Sequence, residues 1–122
     1  MPASIKYIRT ADELESIFSD SFRSPHIVLK HSISCGISAH ILHQLTGSVD
    51  HEINVIIVQT ERDLSNEVAI RTGHRHHSPQ ILVLADGKPV YHATHYGIDA
   101  EAVNQKLRVR KTVGITAGGL QA

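Results

Sequence analysis

One thiol in this chain is placed to react. Cys35 is the only cysteine among 122 residues. It stands where a β-branched run, His26–Lys30 (HIVLK), gives way to a helical period carrying Ile37, Ile41, Leu42 and Leu45. A cysteine that opens a helix faces unpaired N–H groups and the positive end of the macrodipole, and both favour the thiolate. For a generic thiol this help is limited. Lowering a pKa from ~8.5 to ~6.5 raises the thiolate fraction at pH 7 about 25-fold. The weaker base loses about 8-fold in nucleophilicity, which leaves a net gain of about threefold. Leaving-group ability and orientation of an incoming disulfide therefore matter more than raw reactivity. A lone cysteine is more often a small buried filler, but the strand-to-helix junction favours the reactive reading.

Ser38 stands three residues on, in Cys35-Gly36-Ile37-Ser38, where dithiol redox proteins carry a resolving cysteine. With serine there, exchange must pass through a mixed disulfide that an outside thiol resolves. Ser38 is also expected to support the thiolate from the first helical turn, or simply to bond locally. Ser78-Pro79 precedes a buried apolar strand, a position proline tolerates only at a strand's start. The Ser78 backbone there could dock an extended substrate. Ser34, Gly36, Arg75, His76, His77 and Ser78 are the expected substrate contacts.

The chain holds 10 histidines. His74, His76 and His77 lie before Pro79, and His92 and His95 follow on the expected edge strand, where they could stabilise a thiolate or shuttle a proton. His40 and His43 share a helix face, yet no histidine pair has a companion cysteine or carboxylate at structural-zinc spacing, so no metal is expected. Lys30, His31, Arg71 and Arg75 are candidates for gripping an anionic small thiol, each with an ordinary exposed charge as the alternative.

The elements that position these groups follow from capping and period. Thr10-Ala11-Asp12-Glu13 is a capping box ahead of Leu14, Ile17 and Phe18, which predicts a first helix to about Ser19. His26–Lys30 is the first strand, and the helix opened by Cys35 ends near Thr46-Gly47. Ile53–Gln59 is evenly apolar and reads as a strand covered on both faces. A helix over Leu64–Arg71 stops at Gly73, and Gln80–Ala85 is a third buried strand. Asp86-Gly87 predicts a hairpin to Lys88–Thr94, which Pro89 places at the sheet edge. A last helix spans about Asp99–Val109. The order α-β-α-β-α-β-β-α, with a right-handed crossover in its first β-α-β unit, predicts an α/β fold: a thioredoxin-like, mixed four-stranded sheet with helices on both faces. One domain over 1–110 and a flexible tail over 111–122 are expected.

Lys+Arg and Asp+Glu balance at 12 each, which argues against nucleic acid or an anionic membrane as the main partner. The longest apolar runs are too short to span a bilayer. Met1–Thr10 has no apolar h-region, and a free thiol suits a reducing compartment, so a cytoplasmic location is expected.

The stretches HSISCGISA (His31–Ala39) and RTGHRHHSPQILVLADGKPVYHATHYGI (Arg71–Ile98), with the spacing between them, resemble the monothiol bacilliredoxins of the YtxJ type. The resemblance runs from about Pro25 to Leu107. The family's Thr-Cys-Pro-Ile-Ser is met by Ser34-Cys35-Gly36-Ile37-Ser38, and its His-x-Ser-Pro-Gln by His76–Gln80. Its Trp-His-x-x-His-Trp is echoed by Tyr91–Tyr96. Gly36 replaces a proline, and Tyr91 and Tyr96 replace tryptophans. The resemblance implies a thioredoxin fold, Cys35 as nucleophile and a cis Pro79. It also implies removal of bacillithiol from S-thiolated client proteins, with the small thiol as co-substrate and no tightly bound cofactor. The rival is a non-catalytic module holding an iron–sulfur cluster through Cys35 in a dimer. Purified protein would be brown and dimeric in that case, colourless and monomeric in the first.

Overall fold

The computed structural model describes residues 4–108. The expected tail, 111–122, and the end of the last expected helix at Val109 lie outside the described residues. In chain order the elements are β1 (Ile5–Tyr7), α1 (Ala11–Asp20), β2 (His26–His31), α2 (Gly36–Ser48), β3 (Ile53–Ile57), α3 (Arg62–Thr72), β4 (Gln80–Ala85) and β5 (Lys88–Thr94). A 3-10 turn, His95–Gly97, follows β5, and residues 100–108 are helical, here α4.

The sheet order is β1-β3-β2-β4-β5. β3 runs parallel to both β1 and β2, whereas β2–β4 and β4–β5 are antiparallel. The expected mixed sheet is therefore present with five strands instead of four. The additional strand, β1, is Ile5-Lys6-Tyr7, three exposed residues, too short for their alternation to mark a strand. β5 forms one edge, as Pro89 requires.

Side chains alternate across the sheet and meet a different helix pair on each face. Ile27, Leu29, Ile53, Val55, Ile81 and Val83 pack with Ile41 and Leu45 of α2 and with Val103 and Leu107 of α4. Val28, Ile56, Leu82 and Leu84 pack with Leu14, Ile17 and Phe18 of α1 and with Leu64 and Val68 of α3. Both faces of the central strands are covered, which explains their largely apolar sequence.

Local signals set the ends of most elements. The Glu13 N–H donates to Thr10 Oγ1 at 3.1 Å and the Thr10 N–H to Glu13 Oε1 at 3.1 Å, the reciprocal box that starts α1. Gly73 takes φ 75° and closes α3. α2 runs one residue past Gly47 and is closed by the Val49 N–H on the Leu45 carbonyl at 2.9 Å. β3 stops at Ile57, two residues before the expected Gln59, because the Thr60 and Glu61 N–H groups turn back to the Ile57 carbonyl. At the β4–β5 hairpin Asp86 and Gly87 have φ 55° and 75°, the left-handed pair that a two-residue hairpin needs. A Cβ on Gly87 would also come within 2.9 Å of the Phe22 ring.

Candidate active site

Antiparallel pairing of β2 with β4 puts the two sequence landmarks at one end of the sheet. Lys30 is the register partner of Gln80, so the chain leaving β2 toward Cys35 runs beside Pro79, immediately before β4. Cys35 is the N-cap of α2 with φ −112° and ψ 119°, and it makes no side-chain capping bond. The first-turn amides of α2 thus take nothing from the cap residue's own side chain. The thiol is partly exposed. The Ser78–Pro79 peptide is cis. The His95 N–H bonds the Pro79 carbonyl at 3.0 Å, which fastens the 3-10 turn to this loop.

The loop between β2 and Cys35 is held from two sides. From inside, the buried Ser38 Oγ accepts the Ser32 N–H at 3.0 Å and shares a 2.7 Å hydrogen bond with His31 Nδ1. From outside, Gln59 Nε2 donates to Ser32 Oγ at 2.7 Å and to Ser34 Oγ at 3.1 Å, while its Oε1 accepts the Ile33 N–H at 3.2 Å. Residues 32, 33 and 34 are therefore all tied down just ahead of the thiol. Of the two roles expected for Ser38, direct support of the thiolate and local bonding, the structure shows the local one. The Ser38 hydroxyl is directed to Ser32 and His31, not to the Cys35 sulfur, so it positions the loop instead of supporting the thiolate directly.

The expected role of Lys30 is corrected. It was expected to grip an anionic ligand, but strand alternation turns it onto the face covered by α1 and α3, where it is 0% exposed. Burial pushes its pKa down to about 8. Its Nζ lies 3.4 Å from His76 Nδ1, which is also 2.9 Å from Ser65 Oγ. Burial and then the Lys30 charge hold the His76 pKa below its ordinary value. Next to this cluster, Gln80 Nε2 donates to the Arg75 carbonyl at 2.8 Å and meets His92 Nε2 at 2.9 Å. The His92 ring stacks on His74 with centroids 3.9 Å apart. Burial, followed by the neighbouring His74, lowers the His92 pKa. These rings hold the loop before Pro79 against the sheet.

The other expected contacts divide. Ser34 and Gly36 flank Cys35 and are exposed, and nothing would meet a Cβ on Gly36 within 4 Å. His77 lies on the same loop as Ser78 and is in edge contact with His95 at 6.0 Å. His95 itself stands in the 3-10 turn, not on the edge strand, with φ 50°. Arg75 is exposed on the loop. Arg71 is on the far side of α3, bonded to Glu15 at 2.7 Å and lying 3.8 Å over the Phe18 ring, so it does not join the site. His31 is buried beneath Ser38 and burial lowers its pKa. Gln59 and Ser65 went unread in the sequence. Each is an ordinary polar residue whose partner is 25 or more residues away for Gln59 and 11 away for Ser65, and no local pattern marks such pairs. Two apolar side chains remain in the open at this end: Ile33 is 63% exposed and Tyr96 is 75% exposed. Among the described residues, no group of three histidines, cysteines or carboxylates could hold a metal ion, and no helix is long and apolar enough to cross a membrane.

A family model described as monothiol bacilliredoxin BrxC matches residues 6–103. The chain belongs to the monothiol bacilliredoxin family. Among solved structures, this bacilliredoxin is 31% identical to a protein described as a candidate oxidoreductase with a thioredoxin fold. That match covers 83% of this chain and 91% of the other, with a TM-score of 0.76. A mutant thioredoxin from Halobacterium salinarum NRC-1 is 20% identical over 88% of this chain and 91% of that one, TM-score 0.65. A mutant poplar thioredoxin h is 16% identical over 90% and 84%, TM-score 0.69. The last two establish the fold. This bacilliredoxin thus has the thioredoxin fold and a role in thiol redox chemistry, as a redox enzyme of that general class.

Proposed function

We propose that the protein removes a low-molecular-weight thiol, bacillithiol by family resemblance, from mixed disulfides on client proteins. The observation that carries this reading is the lone thiol at the N-cap of α2, with the Ser78–Pro79 loop at the same end of the sheet and no second cysteine in the chain. In the first step the Cys35 thiolate attacks the small-thiol sulfur of the client disulfide. A sulfur–sulfur bond forms on Cys35, the old one breaks, and the client thiolate leaves and takes a proton from solvent. In the second step a free small thiol, as thiolate, attacks the same small-thiol sulfur. It departs as the symmetrical disulfide, and the bonding pair returns to Cys35. The free small thiol is the reductant: one is oxidised into the symmetrical disulfide for each client thiol released.

Each part of the site supports a step. The dipole end of α2 favours the Cys35 thiolate as nucleophile and, later, as leaving group. The Ser78 peptide groups find no backbone partner among the described residues, which leaves them for strand-like pairing with an extended client segment. Exposed Ile33 and Tyr96 supply apolar contact for that segment. A cytoplasmic location agrees with a reaction that needs a pool of reduced small thiol.

The decisive experiment is turnover of a client protein carrying a bacillithiol mixed disulfide, with Cys35→Ser beside the parent and circular dichroism as the check on folding. The variant is expected to lose more than 100-fold in rate, a barrier increase of about 2.7 kcal/mol or more. A folded variant that turns over within about tenfold of the parent, ~1.4 kcal/mol, would remove Cys35 from the centre of the reaction.

A further inference from the structure

Beside the Cys35 loop lies a polar groove of about 210 Å³, lined by Val58, Gln59, Arg62, Ser65, Asn66 and His76. Three separate segments build it: the turn after β3, the first part of α3, and the loop that leads to Pro79. It is continuous with the active site through Gln59, whose amide bonds Ser34 next to Cys35. We propose that this groove is the subsite for the carboxylate-bearing part of the small thiol joined to Cys35, with Arg62 as the anion-binding residue. The proposal rests on the mixed-disulfide chemistry above and adds what is recognised and where.

Three observations point to an anion. Arg62 occupies the first position of α3, where the helix dipole disfavours a cation, and it has no ion-pair partner among the described residues. A charge that works against its own helix is explained by a ligand that needs it. No carboxylate lines the groove: Glu61 faces a separate cleft with Tyr7 and Arg9, and Asp63 faces one with Leu14 and Glu15. Finally, the imidazole of the groove sits among donors: His76 Nδ1 lies 2.9 Å from the Ser65 hydroxyl and 3.4 Å from Lys30 Nζ, whose ammonium can only donate. Arg62 supplies a planar fork suited to a carboxylate, Asn66 adds an amide, and Lys30 adds a buried positive charge behind His76. Of the cations expected from sequence, Lys30, His31 and Arg71 are buried or paired elsewhere, and Arg75 is exposed on the loop but does not line the groove, so the cation that lines it is Arg62.

The test is a thiol-exchange equilibrium on Cys35, independent of any client protein. Protein carrying a 2-mercaptoethanol mixed disulfide is equilibrated with mercaptosuccinate, and the two adducts are counted by intact mass. The same exchange on N-acetylcysteine gives the intrinsic preference of the two thiols. The parent is expected to favour mercaptosuccinate about tenfold beyond that reference, the effect of one charge-assisted pair. Arg62→Ala should lose most of that preference, and Arg62→Lys should lie between. Raising ionic strength should shrink the preference of the parent more than that of Arg62→Ala. A parent constant equal to the reference, or one unchanged in Arg62→Ala, overturns the subsite. Failure of client de-thiolation, read in the separate turnover experiment, would instead overturn the reaction and leave the exchange result to stand or fall alone.

Discussion

The residues around Cys35 show which parts of a site can be read from a chain and which cannot. Cys35 and Pro79 were legible because each breaks a local rule: a thiol at a strand-to-helix junction, a proline against a buried strand. Gln59 and the inward turn of Ser38 were not, because their hydrogen-bond partners are fixed only when β2, β3 and α2 come together. Gly36 has a testable consequence. It is the first helical residue of α2, with open space around the position of a Cβ and no left-handed φ to require glycine. Cys35 before it, at φ −112° and ψ 119°, already has the extended backbone that a following proline demands, and proline is favoured at a first helical position. Gly36→Pro is therefore expected to raise stability by about 0.5–1 kcal/mol through the unfolded chain, read as a higher urea midpoint with an unchanged slope.

At the scale of the element, most of the architecture was written in periodicity. The capping box, the strand Gln80–Ala85 and the Asp86-Gly87 hairpin stand where the pattern put them, while β3 ends two residues short of its expected bound. β1 is not legible because Ile5-Lys6-Tyr7 is too short for its alternation to mark a strand, and only pairing with β3 makes it one. Lys30 misled for a related reason. A strand covered on one face would have left it in water, but α1 and α3 cover the face it points to. Its charged form is disfavoured by burial, with a folded pKa of about 8 against 10.5 in the unfolded chain. Between those values the unfolded state binds more protons, so stability rises with pH; the cost is full below about 8 and gone above 10.5. Lys30→Met should be more stable than the parent at pH 7 by about 2 kcal/mol, after allowance for solvent screening. The advantage should disappear by about pH 10.5, as denaturant melts at the two pH values would show.

For the whole molecule, burial lowers the pKa of His26, His31, His76 and His92 together. Each takes a proton in the unfolded chain before it does in the folded one. Their contribution is present above about pH 6.5 and is lost as pH falls through the lower folded values. The unfolding free energy should thus decline on acidification from about 6.5, well above the carboxylate range, and urea midpoints at pH 7.5, 6 and 5 would show it as a steady fall. The sheet order has a consequence of another kind. Its two rims are β1, only three residues long, and β5, which carries Pro89 and faces a register shift at Val83/Leu84. A short rim and a proline-interrupted one are poor templates for adding a foreign strand. In the proposed function, the extended client segment therefore docks at the Cys35 end of the sheet, away from rims that resist edge-to-edge aggregation.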